Sequence, residues 1–292
     1  VLFRSGSVAL VNNLIKCCNL AGVNVADIVL EQLASACAVL TPDERQLGAA
    51  VLDIGGGTSD LAIYQRGAVL YTSVLPIAGT NFTNDLAIGL HTTLKEAERI
   101  KIHHGTITPI SLETPVTIEI VGTDGICSRP ITQHDVFNIL QPRAEELLQL
   151  VFQEIMFSEM KTYMPAGLVL TGGGSLLHGM PELAQTIFKL PVRIGIPSGI
   201  NAFGKNIAHP SFATGYGLLR YALQKKDTSI TAFSGPSIMR IMARMRSARW
   251  WVKSVMPRPY KKVSTAIVAA MTAKLSRPRW CAGSTNSGKN AM

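Results

Sequence analysis

The chain has 292 residues, enough for about two compact domains, and 47% of them are hydrophobic against 16% charged. This balance excludes a largely disordered chain and predicts a folded core. The five cysteines, an odd number without a Cys-x-x-Cys pair, indicate ordinary buried thiols in a reducing cytosol and argue against a disulfide framework or a zinc site.

The order of apolar and turn-forming residues predicts an α/β fold. In chain order we expect a helix over 8–21, a short strand over 26–30, a helix over 32–40, strands over 48–54, 59–65 and 68–75, helices over 80–90 and from 93, a hairpin over 115–131, a helical region over 133–163, a strand over 167–171 and a helix near 211–225. Thr80 and Thr93 are the expected N-caps of their helices. Pro142 is expected to divide the long helical region.

The segment Val51–Tyr64, VLDIGGGTSDLAIY, joins two apolar strands through three consecutive glycines. Because glycine has no Cβ, backbone N–H groups in such a turn can approach and surround an anion such as a phosphate. Asp53 could hold a hydrated Mg²⁺ over that phosphate, and Thr58 adds a hydroxyl. The turn lacks the Gly-Lys-Ser/Thr ending of a P-loop, and the three glycines alone are equally consistent with a hairpin turn that binds nothing.

A second glycine turn lies in Ala166–Gly179, AGLVLTGGGSLLHG, where another apolar strand runs into three glycines. Here the residues that follow have helical spacing, so this turn leads to a helix. Its glycines would let a nucleotide lie close to the backbone between strand and helix. Together, the two junctions indicate a nucleotide held between them.

The two motifs resemble the second phosphate motif and the adenosine motif of the superfamily that contains actin, Hsp70 and the sugar kinases. The surrounding sequence resembles the FtsA family, the actin-like proteins of bacterial cell division, over residues 8–225; the segments that carry this resemblance include LASACAVLTPDERQLGAAVLDIGGGTSDLAIYQRGAVLYTSVLPIAG, TNDLAIGL, AERIKIHHG and VRIGIPSGINAF. The resemblance implies an actin-like (ribonuclease H-like) fold of two lobes that close on ATP. It also implies that the chain is truncated at its N-terminus, with an incomplete first lobe that lacks the first phosphate loop, so we expect weak ATP binding.

The resemblance further implies a division of the chain into segments. Residues 1–47 would be a remnant of the first lobe and the connection between the lobes, 48–90 with 166–200 the nucleotide-binding core of the second lobe, 91–165 a subdomain inserted into that lobe, 201–227 the return to the first lobe, and 228–292 a basic tail.

The nucleotide contacts implied by the resemblance fall on both glycine turns and one helix. The phosphates would contact Gly55, Gly56, Gly57 and Thr58, and the cation would reach Asp53 through water. The nucleoside and α-phosphate would contact Gly172, Gly173, Gly174 and Ser175. The ribose and base would contact Glu98 and Lys101.

Two of these assignments have plain alternatives. Glu98 and Lys101 share a helix face, and from spacing alone they are consistent with a surface ion pair. Glu31 occupies the position at which hydrolysing relatives carry an acid or amide that orients the attacking water. The alternative for Glu31 is a strand-end carboxylate without a catalytic role.

The positive charge is concentrated at the end of the chain. Residues 228–292 hold 12 lysines and arginines and no acidic residue, whereas residues 1–227 hold 16 basic and 19 acidic residues. In segment 237–256 an apolar face with helical spacing is flanked by cations and indoles, which is typical of an amphipathic helix lying in a membrane interface. The residues expected to bind the membrane are Ile238, Ile241, Met242, Arg244, Met245, Trp250, Trp251, Val252 and Lys253. A helix packed on the protein's own core and a nucleic-acid arm are the alternatives.

The resemblance implies a cytoplasmic protein, peripheral on the inner face of the cell membrane at the division septum, which polymerises there and anchors filaments of the tubulin-like protein FtsZ. The implied ligands are ATP and Mg²⁺. The implied partners are the C-terminal tail of FtsZ docked on residues 91–165, other copies of the chain, other divisome proteins and an anionic membrane surface, with no nucleic acid. ATP turnover is expected to be slow or absent. The alternative function is a phosphotransferase of the sugar-kinase branch.

Overall fold

A computed structural model describes residues 8–108, 116–123, 128–158, 164–198 and 208–229. The chain divides into two compact units, one formed by Val1–Ala26 with Ala232–Met292 and the other by Asp27–Thr231. In the first unit the described element is helix α1 (Val8–Leu20), which confirms the helix expected over 8–21. Its Cys17 is exposed and Cys18 is half-buried, so the expectation of buried thiols is wrong for these two; Cys37 in the second unit is buried.

The second unit alternates helices and strands. Its elements are α2 (Glu31–Val39), α3 (Pro42–Leu47), β1 (Ala49–Ile54), β2 (Ser59–Gln65), β3 (Ala68–Leu75), α4 (Gly79–Gly89), α5 (Leu94–His104), β4 (Thr117–Val121), β5 (Ser128–Thr132), α6 (Gln133–Phe157), β6 (Leu168–Thr171), a 3₁₀ turn (Gly173–Leu176), α7 (Met180–Phe188), β7 (Val192–Ile194), a 3₁₀ turn (Pro210–Phe212) and α8 (Ala213–Ser229). The α/β prediction is confirmed, as are the three strands around the first glycine turn.

Three local predictions are wrong. Residues 26–30 form no strand and run as an irregular connection into α2. Helix α4 begins at Gly79, because the side chain of Asn81 accepts a hydrogen bond from the N–H of Ala78 (2.9 Å) and so fixes the start earlier than Thr80. Helix α6 continues through Pro142, since a row of buried apolar side chains on both sides of the proline holds it against the core.

Five strands form one sheet in the order β3-β2-β1-β6-β7. The first three strands pair antiparallel, whereas β1 with β6 and β6 with β7 pair parallel. Strand β1 is buried on both faces, and its alternating side chains enter two cores. Ala50, Leu52 and Ile54 pack with helices α4 to α7, and Ala49 and Val51 pack with α2 and α8.

The alternation along β1 decides where its one acid lies. Asp53 follows Ala49 and Val51 in period two, so its side chain points to the face covered by α2 and α8. In the parallel ladder Asp53 is level with Thr171, the last residue of β6. Both glycine turns therefore begin at the same edge of the sheet.

Strands β4 and β5 form a separate two-stranded antiparallel sheet. Their buried residues Ile118, Ile120 and Ile131 join the same hydrophobic core as α4 to α7. This pair confirms the hairpin expected over 115–131 in its strands, while the residues that join them, 124–127, lie outside the described part of the chain. The predicted boundaries of the segments within 1–227 stay predictions.

Helices α2 and α8 approach each other closely at a glycine. A Cβ built on Gly217 would lie 1.7 Å from the carbonyl oxygen of Ala34. Near this contact an Arg220 guanidinium nitrogen donates a hydrogen bond to the carbonyl oxygen of Cys37 (3.0 Å). The two helices are thus held backbone to backbone over the Asp53 face of the sheet.

Among the described residues no helix is long and apolar enough to cross a membrane. The predicted membrane-binding helix 237–256, with all its named residues, lies outside the described part of the chain.

We expect Gly217→Ala to lower the free energy of unfolding by about 1–3 kcal/mol, because its methyl group would collide with the α2 backbone. The matched control is Gly215→Ala in the same helix, where the added methyl meets nothing within 4 Å. Helix propensity alone favours alanine by up to about 1 kcal/mol, so the control should be neutral or stabilising. Urea denaturation followed by circular dichroism measures both, and equal effects of the two substitutions would contradict the packing assigned to Gly217.

Candidate functional site

The second glycine turn lies directly against the end of β1. Gly172 has a φ of +81°, and a Cβ there would be 2.3 Å from Asp53 Oδ1 and 2.5 Å from the carbonyl oxygen of Ile54. A Cβ on Gly174 would be 2.4 Å from the Cγ2 atom of Ile54. These glycines are required by packing, and they let the two turns meet at Asp53.

The first glycine turn is the tip of the β1–β2 hairpin, as expected, and is closed by a hydrogen bond from the N–H of Gly55 to the carbonyl oxygen of Thr58 (2.9 Å). The carbonyl groups of Gly55 and Gly56 point to the start of α4, where they accept hydrogen bonds from the N–H groups of Gly79 (3.0 Å) and Thr80 (2.7 Å). The turn is therefore fixed on its carbonyl side by helix α4.

Gly56 and Gly57 are exposed and have room around them. A Cβ on either would meet no atom within 4 Å, and neither residue has a positive φ. Within the described part of the chain their N–H groups donate no hydrogen bond. The fold itself thus gives no reason for glycine at these two positions, whereas a ligand seated on the turn would.

Two acidic side chains are buried beside the turns. Asp53 is 4% exposed and Asp60 is 5% exposed. Asp53 Oδ2 accepts hydrogen bonds from the hydroxyls of Ser35 and Thr214 (3.1 Å for Thr214), and Asp60 accepts one from Thr58 (2.8 Å). None of the ion pairs formed by the described residues involves either acid.

Burial shifts the pKa of both acids upward. Burial raises the pKa of Asp53, and the hydrogen bonds from Ser35 and Thr214 oppose that rise. Burial also raises the pKa of Asp60, opposed by the Thr58 hydroxyl and reinforced by the negative charge of Asp53. Among the described residues, the site thus carries negative charge from two acids and no basic side chain that pairs with either.

Glu31, at the first position of α2, faces the same region. Although the residue is exposed, burial of its carboxyl raises its pKa, and the negative charges of Asp60 and Asp53 raise it further. The nearby Thr214 hydroxyl acts in the opposite direction. The predicted catalytic acid is thus brought to the predicted nucleotide ligands.

The described residues contain no group of three or more His, Cys, Asp or Glu side chains arranged to hold a metal ion directly. Two buried carboxylates without a cationic partner nevertheless fit a cation that keeps its water shell, which is the usual behaviour of Mg²⁺. The donor set therefore fits Mg²⁺ held through water, and the cation contact implied for Asp53 stays a prediction.

Glu98 and Lys101 form an ion pair of 2.8 Å on α5. Lys101 Nζ also donates to the carbonyl oxygen of Gly79 (2.9 Å) and lies 2.8 Å from Thr83 Oγ1, while Thr83 donates to Glu98. Gly79 is also the residue bonded to the first glycine turn, so the pair lies next to that turn. Ser175 is buried, and its hydroxyl donates to the carbonyl oxygen of Gly172 (2.8 Å), which places it inside the second turn.

The sequence did not single out Ser35 and Thr214. They lie 18 and 161 residues from Asp53 along the chain, in helices without a recognisable motif. The only available signal was the presence of small hydroxyl residues among the alanines and glycines of two apolar helices.

Comparison with known proteins shows which family the sequence of this chain resembles. The model of the family described as Cell division protein FtsA matches residues 50–217. The chain is 41% identical over 226 residues to Cell division protein FtsA of Pseudomonas aeruginosa, covering 77% of this chain and 54% of that protein. It is 40% identical over 219 residues to Cell division protein FtsA of Neisseria meningitidis serogroup B, covering 75% and 53%. The chain spans about half the length of the curated relatives it matches.

Among solved structures, MreB5 of Spiroplasma citri bound to ADP superposes with a TM-score of 0.62 at 20% identity, over 79% of this chain and 69% of that one. This likeness concerns the fold and confirms that it is actin-like. The family match over residues 50–217 and the relatives at 41% and 40% identity show the family: the chain belongs to the FtsA family.

Proposed function

We propose that the chain is an ATP-binding, actin-like cell division protein that polymerises at the cytoplasmic membrane and anchors FtsZ filaments there. Membership of the FtsA family supports the division role. The observation that carries nucleotide binding is the meeting of two glycine turns at a buried acid, Asp53, for which the described residues supply no cationic partner. MreB5, which shares the fold, has been solved bound to ADP and to AMPPNP.

In this proposal the phosphates occupy the open side of the first turn. The N–H groups of Gly56 and Gly57 face them, and the nucleoside lies along Gly172–Gly174 toward Glu98 and Lys101. The Thr58 hydroxyl would donate to a phosphate by giving up its hydrogen bond to Asp60. Asp53 would hold Mg²⁺ through the water shell of the ion, and the cation would neutralise phosphate charge. Asp60 adds negative charge beside the cation but is held by Thr58.

The nucleotide is proposed to act mainly as a conformational signal. Glu31 lies where it could orient a water molecule, and this would give at most a slow ATPase. Binding that favours one arrangement of the lobes would shift the population able to form filaments. A sugar-kinase activity has no observation in its favour in a chain of this family.

The membrane and partner roles are proposed from the sequence and the family. The apolar and basic faces of 237–256 suit an anionic bilayer surface on the cytoplasmic side, at the division septum. The tail of FtsZ is proposed to dock on 91–165, alongside contacts with other copies and other divisome proteins, and we propose no nucleic-acid partner.

We expect Mg·ATP to raise the midpoint of thermal unfolding of the chain at millimolar nucleotide, since binding to the folded state stabilises it. The double variant Gly56→Ala, Gly57→Ala should unfold at the wild-type temperature without ligand, because both methyls enter open space. With Mg·ATP, the midpoint of thermal unfolding of the double variant should not rise. Gly215→Ala is the matched control that adds a methyl to open space outside the turn. A wild-type midpoint unchanged by Mg·ATP would contradict nucleotide binding.

The raised pKa of Asp53 predicts how stability changes with pH. Its folded pKa exceeds the ordinary aspartate pKa of 3.8, so the folded state binds the proton more tightly than the unfolded state. The stabilising contribution is present at pH below that value and is lost as pH rises through the folded pKa. Asp53→Asn removes this loss, so without Mg²⁺ the variant should lose less free energy of unfolding than the wild type between about pH 4 and about pH 7.

The control for this pH series is Asp43→Asn, which changes an exposed carboxylate in α3. Urea denaturation at each pH measures the free energy of unfolding of the wild type, Asp53→Asn and Asp43→Asn. At neutral pH, Mg·ATP should stabilise the wild type and Asp43→Asn, but not Asp53→Asn. Parallel pH profiles for the wild type and Asp53→Asn would show that the buried charge is not the cause.

Flotation with anionic vesicles tests the membrane proposal. Met245→Gln places a polar group on the apolar face of 237–256 and should reduce the fraction that floats, as should deletion of 237–257. Ser247→Gln changes the opposite face and should float like the wild type. Equal recovery of the wild type and the deletion variant would refute the membrane contact.

A further inference from the structure

The Asp53 carboxylate is held by two hydroxyls that come from different helices. Ser35 of α2 and Thr214 of α8 each donate to its Oδ2 atom, and the two hydroxyl oxygens are themselves 2.9 Å apart. Ser35 is fully buried and Thr214 is half-buried. The three oxygens thus form a compact triangle beneath the two glycine turns.

The number of hydroxyl hydrogens limits which hydrogen bonds these three oxygens can form at once. Each hydroxyl has one hydrogen to donate, so two hydrogens serve three oxygen–oxygen contacts. When both hydroxyls donate to Oδ2, that atom is the shared acceptor of two bonds. The other oxygen, Oδ1, accepts no hydrogen bond from the described residues and lies at the Gly172 turn, 2.3 Å from where a Cβ at position 172 would stand.

The two hydroxyls are fixed by the packing of their helices. The Gly217–Ala34 contact brings α8 against the backbone of α2, and Arg220 adds a hydrogen bond to the carbonyl oxygen of Cys37. The backbone positions that carry the two hydroxyls cannot move far without separating the helices. Groups locked in this way hold a ligand-binding side chain in one orientation.

We propose that Ser35 and Thr214 are positioning residues that bind Oδ2 of Asp53 and leave Oδ1 turned toward the nucleotide, where it meets the water shell of the cation. This inference rests on the proposed nucleotide site. On this inference, the side chain of Asp53 in strand β1 is oriented by residues of the two helices α2 and α8. Partners of this kind commonly change metal affinity by about 10- to 100-fold when they are removed.

The test is the Mg²⁺ dependence of nucleotide binding, measured by isothermal titration of each protein with ATP in EDTA and with ATP at a series of Mg²⁺ concentrations. Thr214→Val removes the hydroxyl at nearly constant volume, and Ser35→Ala removes the other. Each should weaken the apparent affinity for Mg²⁺ in the ternary complex about tenfold or more. Affinity for ATP in EDTA should stay near the wild-type value. Thr214→Ser keeps the hydroxyl and should restore Mg²⁺ affinity.

Circular dichroism of the ligand-free variants establishes that each is folded. Unfolding free energies of the two single variants and the double variant should be non-additive, because both hydroxyls bind one oxygen. If the wild type responds to Mg²⁺ and the two hydroxyl-lacking variants respond equally well, the positioning role is wrong while the nucleotide site stands. If wild type binds no ATP under either condition, the proposed function fails and this inference fails with it.

Discussion

The parallel pairing of β1 with β6 is the constraint on which the site depends. It sets Asp53 level with Thr171, so that the glycine turns after both strands open at one edge of the sheet. The register is fixed by apolar side chains on both faces of β1. A slip of one residue would exchange the two faces and turn Asp53 into the core formed by Leu52, Ile54 and their neighbours.

The site also concentrates negative charge where the fold supplies little to offset it. Asp53 and Asp60 are buried side by side, and Glu31 faces both. Hydroxyl donors reduce the cost of this arrangement but do not neutralise it. A chain built for stability alone would place an ion pair or apolar side chains there, so this cluster of acids is the feature on which the proposed cation site rests.

Local patterns were sufficient to predict several parts of the fold. The glycine turns, the three strands around the first turn and the Thr93 cap depend on neighbouring residues, and all appear where expected, with the N–H of Glu96 donating to Thr93 Oγ1 (3.3 Å). The ion pair of Glu98 and Lys101, which helical spacing alone predicted, is also present. The ribose and base contacts that the resemblance implied for this pair stay a prediction.

Other parts depend on contacts between distant segments, which local patterns do not contain. Ser35 and Thr214 become partners of Asp53 only after α2 and α8 pack on the sheet. Tertiary packing also overrides local preference in α6, where burial of Leu140 and Ala144 keeps the helix intact on either side of Pro142.

The hydrogen bonds between the first glycine turn and α4 link the ligand side of the turn to the helix through single peptide groups. The carbonyl of Gly55 and the N–H of Gly56 belong to one peptide unit, and the carbonyl of Gly56 and the N–H of Gly57 belong to the next. Each carbonyl bonds α4, and each N–H is exposed. An anion that polarises the N–H groups would therefore strengthen the bonds to Gly79 and Thr80. Occupancy of the turn would be transmitted to the helix electronically, without displacement of the loop.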